Sequence, residues 1–309
     1  MTYYKSHKLI IYKPMNKTVW VFPGQGSQTI NMGVDLQNIP SAQTKFEIAE
    51  KILGWSVLEV CKNDDETLFQ TLYTQPCLYV IESILAELLI EKIGLPDLVA
   101  GHSLGEYVAF YTAGVFDFES GLSLVKKRAE LMSNAAGGKM VALMKFDREQ
   151  LENIINNTEN VVLANDNSEG QVVISGTPEA VDKVLTQVKA KRKAELNVSG
   201  AFHSPLMAEA STQFEAILQQ VTFNEAKVAI LSNVDPTPSR DNTQLKQRLI
   251  AQMTGSVRWR EIMKQLERQE VTKAIEVGPG KVLSGLIKRA CQNIELVNIG
   301  TLKQLDKVA

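Results

Sequence analysis

The segment DLVAGHSLGEYVAF (97–110) constrains the fold more than any other stretch of the chain. Residues 97–101 form a short apolar run that reads as a buried strand, and 104–114 read as a helix. Between them Gly101, Ser103 and Gly105 make a GxSxG pattern. A serine on so tight a strand-to-helix turn is a nucleophile elbow: the turn exposes the hydroxyl, and the glycines let the backbone crowd without Cβ clashes. The helix behind the turn offers free N–H groups and the positive end of its dipole to a developing oxyanion. A buried strand that feeds straight into a helix also predicts a parallel sheet in an α/β protein.

The rest of the chain divides around that expectation. TVWVF (18–22) reads as a strand ended by Pro23-Gly24, and 42–62 and 75–94 carry helical periodicity. LYVIESILAELLIEKIGL, the most apolar run, is interrupted by Glu82, Glu87, Glu91 and Lys92 and reads as a buried amphipathic helix, not a membrane span. A helix over about 117–135 ends at Gly137-Gly138. Then the rhythm changes. MVALMKF, REQLENIINN, NVVLAND, GQVVISG, TPEAVDKVLTQVKAK and KAELNVS read as strand, helix, two strands, helix and strand. That order is the split βαβ pattern of ferredoxin-like units. It places a compact small subdomain at 139–200, inserted between 15–138 and 201–309 of a larger α/β subdomain. VAILSNV and KAIEVG are further strands, with helices near 243–254, over 257–269 and after Gly280. Residues 1–14 precede MNKTVWVFPGQG and are expected to be a flexible N-terminal tail or an upstream start; they carry no cleavage-site signal.

Composition excludes several classes. With 33 basic and 35 acidic residues the net charge is −2, which argues against nucleic acid as the main partner. Cys61, Cys77 and Cys291 are scattered, which rules out a disulfide scaffold. The three histidines, His7, His102 and His203, are too few for a His-rich metal site, and no metal is expected. A soluble, cytoplasmic enzyme off the membrane is the expectation.

The same three histidines identify the base that an elbow serine needs. His7 lies in the expected tail. His102 adjoins Ser103 inside the turn, where neighbouring side chains diverge, so it is expected to pack or support. His203, in GAFHSPLM, sits in a loop bracketed by Gly and Pro, and by elimination it is the base. No acid identifies itself: Asp235 and Glu276 are both possible by spacing, and a carbonyl orients an imidazole as well as a carboxylate does. The loop FPGQGSQ (22–28) lacks the third glycine of a dinucleotide fingerprint and the GK[ST] of a P-loop. It suits either a second oxyanion N–H or a plain β-to-α turn.

Taken together, FPGQGSQ, YTQP (73–76), GHSLGEY (101–107), KKRAELM (126–132), GQVVISG (170–176), AFHSPLM (201–207), QMTGSVRW (252–259) and EVGPGKVLSGLIKR (276–289) resemble the malonyl-CoA:acyl carrier protein transacylases and the related acyltransferase domains of polyketide synthases. The resemblance runs from Val19 to Leu302. It implies an α/β-hydrolase-like core with a ferredoxin-like insertion. It implies Ser103 as the acylated nucleophile, His203 as its base, and Arg128 as the group that grips the free malonyl carboxylate. A planar guanidinium pairs bidentately with a carboxylate, although spacing alone would leave an arginine of the 117–135 helix on a solvated face. Gln25 and Leu104 are similar to the residues whose amides form the oxyanion hole. Gln252 is similar to the residue whose carbonyl orients the histidine, Gln75 matches a pocket-side glutamine, and Asn165 borders the pocket. Phe202, beside the base, is expected to narrow the room for a 2-substituted acyl group.

The resemblance implies ping-pong transfer of a malonyl group from malonyl-CoA to the phosphopantetheine thiol of acyl carrier protein, with malonyl-CoA as substrate and no cofactor, in a protein expected to be a monomer. The acidic carrier calls for a basic patch, either Lys189, Lys191, Arg192 and Lys193 or Lys281, Lys288 and Arg289. Fatty-acid transacylases often carry Pro where Ala201 stands, and Ala before Phe-His resembles malonyl-selective polyketide acyltransferases, so both pathways stay open. The competing readings are a thioesterase-like acyl hydrolase acting on carrier protein, which a retained Arg128 disfavours, and a non-catalytic carrier-binding module, which the intact Ser103, His203, Gln25 and Gln252 disfavour.

Overall fold

The computed structural model describes residues 16–63, 66–198 and 200–308. The expectation for residues 1–14 lies outside them. In chain order the elements are β1 (Lys17–Phe22), α1 (Pro40–Leu53), α2 (Val57–Lys62), α3 (Thr71–Ile93), β2 (Leu98–Gly101), α4 (Gly105–Thr112), α5 (Phe118–Asn134), β3 (Lys139–Phe146), α6 (Arg148–Asn156), β4 (Val161–Ser168), β5 (Gln171–Gly176), α7 (Pro178–Gln187), β6 (Ala190–Glu195), α8 (Ala208–Leu218), β7 (Ala229–Leu231), α9 (Asn242–Ala251), α10 (Trp259–Arg268), β8 (Val271–Val277), α11 (Val282–Ala290), β9 (Glu295–Ile299) and α12 (Leu302–Leu305).

Two sheets organise the chain. The larger runs β7-β2-β1-β8-β9 with every pair parallel. β1 lies at its centre, and its alternation explains the layers on either side. Trp20 and Phe22 face the main core with α1, α3, α4 and α5, while Val19 and Val21 face the cluster formed with α10 and α11. The smaller sheet, order β4-β5-β3-β6, is antiparallel, and α6 and α7 cover one face around Leu143, Leu151, Val181 and Val184. Thr177 caps α7 from the Ala180 amide with Pro178 at the first helical position, as the sequence signal required.

β4 joins the two units. Its Asp166 amide donates to the Val257 carbonyl at 2.9 Å, and the Val257 amide donates to Ala164 at 2.8 Å. The Asp166 carboxylate takes Arg148 at 3.0 Å and Arg260 at 2.8 Å. The small sheet is thereby fixed beside the ends of β2 and β7, where ligands meet open parallel sheets.

Several expected boundaries move. The 42–62 helix is two helices, because Gly54 takes a left-handed conformation and closes α1. The 75–94 helix starts at Thr71 and is not amphipathic. It is buried on nearly all sides through Ala86, because other helices surround it as well as the sheet. The helix expected through Lys191 stops at Gln187, so the last strand is Ala190–Glu195 and not 193–199. α8 and β9 were not anticipated: α8 buries only Phe214 and Leu218, and β9 is a short edge strand. Among the described residues no helix is long and apolar enough to cross a membrane.

Candidate active site

The elbow forms as the sequence required. β2 ends at Gly101, Ser103 takes φ 52°, and α4 begins at Gly105. This left-handed backbone at a non-glycine residue costs on the order of 1–3 kcal/mol and holds the hydroxyl clear of the sheet. The glycines are steric necessities. A Cβ on Gly101 would overlap the Gly105 backbone, and one on Gly105 would overlap the Phe22 carbonyl of β1.

His203 also has a left-handed backbone, φ 56°, in the loop before α8. Its Nε2 lies 2.8 Å from Ser103 Oγ. Its Nδ1 lies 3.0 Å from the Gln252 carbonyl and 3.2 Å from the Gly255 carbonyl. Two acceptors on Nδ1 place the ring proton there and leave Nε2 free to receive the serine proton. Burial, reinforced by the charge on Arg128, pushes His203 down to about 3, so the ring is neutral. Neither acidic candidate reaches it. Asp235 pairs with Arg248 at 2.6 Å, and Glu276 accepts the Leu283 and Ser284 amides at the start of α11.

Arg128 is 1% exposed, not on a solvated face. α5 turns Gly121, Val125, Arg128 and Met132 inward at helical spacing, so the arginine occupies the buried stripe. The guanidinium donates from Nη1 to Gln75 Oε1 at 2.7 Å, and from Nη2 to Gln252 Oε1 at 3.1 Å and to Ser103 Oγ at 3.0 Å. Its Nε is buried without a hydrogen-bond partner among the described residues. One serine oxygen therefore lies within hydrogen-bond reach of both a neutral imidazole and a cation.

These groups open on a cavity of about 230 Å³ lined by Ser103, His203, Arg128, Gln25 and Leu104, with Asn165 and Phe202 on its walls. The loop after β1 lies against the elbow, since a Cβ on Gly24 would overlap the His102 carbonyl. The amides of Gln25 and Leu104 have no acceptor among the described residues. Two free donors beside a nucleophile suit an oxyanion. Gln75 and Gln252 stand behind Arg128 and are not in the cavity wall. His102 bonds Asn167 at 2.8 Å and meets the Trp259 ring at 5.6 Å, the supporting position expected of it. The first basic patch is exposed just before and along β6, which leads into cavity residues Leu196 and Val198. The second is exposed on α11, where Lys281 adjoins the cavity residue Val282. A larger open hollow of about 690 Å³ between α6 and α7 contains none of these groups.

Two site residues escaped the sequence reading. Glu106, three residues after the nucleophile, is fully buried and accepts from Gln252 Nε2 at 2.7 Å and from the Asn233 amide at 3.1 Å. Asn233, past the end of β7, accepts from the Ser103 amide at 2.8 Å and donates to the Gly101 carbonyl at 2.6 Å. A charged residue inside the otherwise apolar start of α4 was the available signal.

The model of the acyl transferase domain family matches residues 19–305. The chain is 57% identical over 292 residues to a malonyl CoA-acyl carrier protein transacylase of Synechocystis, covering 94% of this chain and all of that protein. The crystal structure of the Synechocystis malonyl-CoA:ACP transacylase superimposes with a TM-score of 0.93 at 57% identity, again over 94% of this chain and all of that one. A structure of a type II polyketide synthase acyl carrier protein in complex with its malonyl-transacylase matches with a TM-score of 0.88 at 32% identity, over 94% of this chain and 98% of that one.

Proposed function

The chain belongs to the malonyl CoA-acyl carrier protein transacylases of the acyl transferase domain family, and from that membership we propose that it transfers a malonyl group from malonyl-CoA to the phosphopantetheine thiol of an acyl carrier protein, in fatty-acid or polyketide synthesis. The observation that carries the reading is the single oxygen, Ser103 Oγ, held 2.8 Å from His203 Nε2 and 3.0 Å from Arg128 Nη2.

In the first half-reaction Oγ attacks the thioester carbonyl as its proton passes to His203 Nε2. The carbonyl oxygen takes the developing charge between the Gln25 and Leu104 amides. As the tetrahedral intermediate collapses, the C–S bond breaks and CoA leaves with the proton from Nε2. The malonyl carboxylate pairs with Arg128, a cation that a monoacid thioester cannot use. In the second half-reaction the carrier thiol gives its proton to Nε2 and attacks the ester, and Oγ departs and recovers that proton. Phe202 narrows the space beside the base, and Asn165 lines the same cavity. No cofactor enters either half.

The ferredoxin-like description of residues 139–200 is supported by their β-α-β-β-α-β element order. The hydrolase-like description of 15–138 and 201–309 is supported by the parallel sheet and its elbow.

Intact-protein mass spectrometry tests the reaction. Incubation with malonyl-CoA should give one malonyl adduct, absent in Ser103→Ala and discharged when holo-carrier protein is added. Release of free malonate with no adduct would refute transfer in favour of hydrolysis.

A further inference from the structure

The proposed reaction leaves Glu106 without a task, yet each of its carboxylate oxygens is held by a donor. Glu106, Asn233 and Gln252 are each fully buried. A carboxylate placed there must have donors for its oxygens, and the fold supplies one to each. The Asn233 amide reaches Oε1 and the Gln252 side chain reaches Oε2.

The Gln252 amide is the informative group. Its two N–H bonds are both used, on Glu106 Oε2 at 2.7 Å and on the Ser103 carbonyl at 2.8 Å. Its oxygen is therefore committed to the other side, where it accepts from Arg128 Nη2 at 3.1 Å. Turning the amide over would set an NH₂ against the guanidinium and an oxygen against two acceptors. The orientation of one amide thus decides whether Arg128 meets an acceptor or a donor, and Glu106 is one of the two groups that set it.

The geometry points to Glu106 as a positioning residue for acyl-group selection: through the Gln252 side chain its carboxylate fixes Arg128, and through Arg128 the preference for a malonyl over an acetyl group. This rests on the proposed pairing of Arg128 with the malonyl carboxylate. Glu106 touches neither substrate nor the reacting atoms, so its effect reaches only the acyl group that Arg128 reads.

Glu106→Gln isolates the effect. The Asn233 and Gln252 contacts both come from N–H donors, the neighbouring Ser232 hydroxyl can turn to either partner, and a glutamine has only one oxygen to offer. The Asn233 donor is backbone and cannot turn, so that oxygen stays on it. The new NH₂ faces Gln252, whose amide must turn, and the mismatch passes to Arg128.

The experiment measures kcat and KM for acylation by malonyl-CoA and by acetyl-CoA in four variants, with the thermal unfolding midpoint of each. Expected for Glu106→Gln is a loss of about tenfold in malonyl kcat/KM, mostly in KM, with acetyl kcat/KM changed less than about twofold. Gln252→Leu keeps the backbone carbonyl that holds His203, and it should lose discrimination to a similar extent. In the double variant the Glu106 change should add nothing further. Should Glu106→Gln fail to fold, Gln252→Leu alone still carries the test, since equal losses on both substrates there would overturn the relay. Parallel losses in Glu106→Gln, or additive losses in the double variant, overturn it too. Arg128→Ala is the reference. If it abolishes discrimination while Glu106→Gln does not, the relay is wrong and the carboxylate pairing stands. If it leaves discrimination intact, the pairing fails and the relay with it.

Discussion

Replacing Arg128 by alanine separates recognition of the acyl carboxylate from the chemistry at Ser103. Truncating one partner of a desolvated, hydrogen-bonded charge pair costs about 2–5 kcal/mol, and Arg128 is buried, so the site is of that kind. A middle value of about 3 kcal/mol corresponds to roughly a 150-fold fall in malonyl kcat/KM. The acetyl substrate has no carboxylate to lose. Moreover, Arg128 is one cause of the depressed His203 value, so removing it returns basicity to the imidazole. Acetyl kcat/KM should hold steady or rise. The variant also orphans Gln75 Oε1 and Gln252 Oε1 and opens a cavity, at a stability cost of about 2–4 kcal/mol. Rates are therefore to be measured well below its unfolding midpoint, by rapid-quench detection of the acyl-serine with each thioester. Parallel falls for malonyl and acetyl would show that Arg128 supports the site without reading the substrate.

His203 should stay neutral with its proton on Nδ1 from pH 8 down to pH about 5, because burial and the neighbouring guanidinium hold it near 3; ring-nitrogen NMR checks this, and a midpoint between 6 and 7 would contradict it. The sign for stability follows: below 6.5 the unfolded histidine takes a proton that the folded one refuses, so this contribution is intact above 6.5 and is lost as pH falls toward about 3. Gly105→Ala should destabilise the fold by about 3 kcal/mol or more, since its Cβ meets the Phe22 carbonyl of the central strand; a denaturant midpoint equal to the parent's would show that the elbow is looser than drawn. Glu276→Ala removes the acceptor of the Leu283 and Ser284 amides and of Asn298 and should cost about 2–4 kcal/mol in urea unfolding at unchanged slope. A cost below about 0.5 kcal/mol would mean that α11 does not depend on this cap.

What the sequence reveals is what its local pattern controls. The elbow was legible because a strand, two glycines and a helix are contiguous, and steric exclusion at Gly101 and Gly105 leaves few other ways to fold them. His203 was legible by elimination. Arg128 was misjudged from spacing, although Gly121, Val125, Arg128 and Met132 lie on one helical stripe; a cation amid apolar neighbours is easily assigned to the surface unless its buried partners are known. Those partners come from distant elements: Gln75 is 53 residues away and Gln252 is 124. Glu106 and Asn233 are 127 residues apart. Register of the small sheet was also hard to place, because KAKRKAELNVS is polar along much of its length and its strand is an exposed edge.

Among the described residues no carboxylate meets the site's histidine, and the position of Arg128 gives a reason. Its Nη2 and the imidazole Nε2 share one oxygen, so a charge placed to orient the imidazole would act on the guanidinium as well. A carboxylate there would neutralise the cation to which the proposed reaction assigns the malonyl carboxylate. Two backbone carbonyls orient the ring without adding charge, and Glu106 is kept one amide away, behind Gln252. The cost is a weak base, since burial and Arg128 together depress His203. On the proposed reaction the substrate reverses part of that cost: a malonyl carboxylate paired with Arg128 offsets its charge, and the imidazole regains proton affinity as the serine needs it. An acetyl group brings no such charge and meets the base in its depressed state. Selection then acts on the transition state as well as on binding, which is where discrimination raises kcat/KM most effectively.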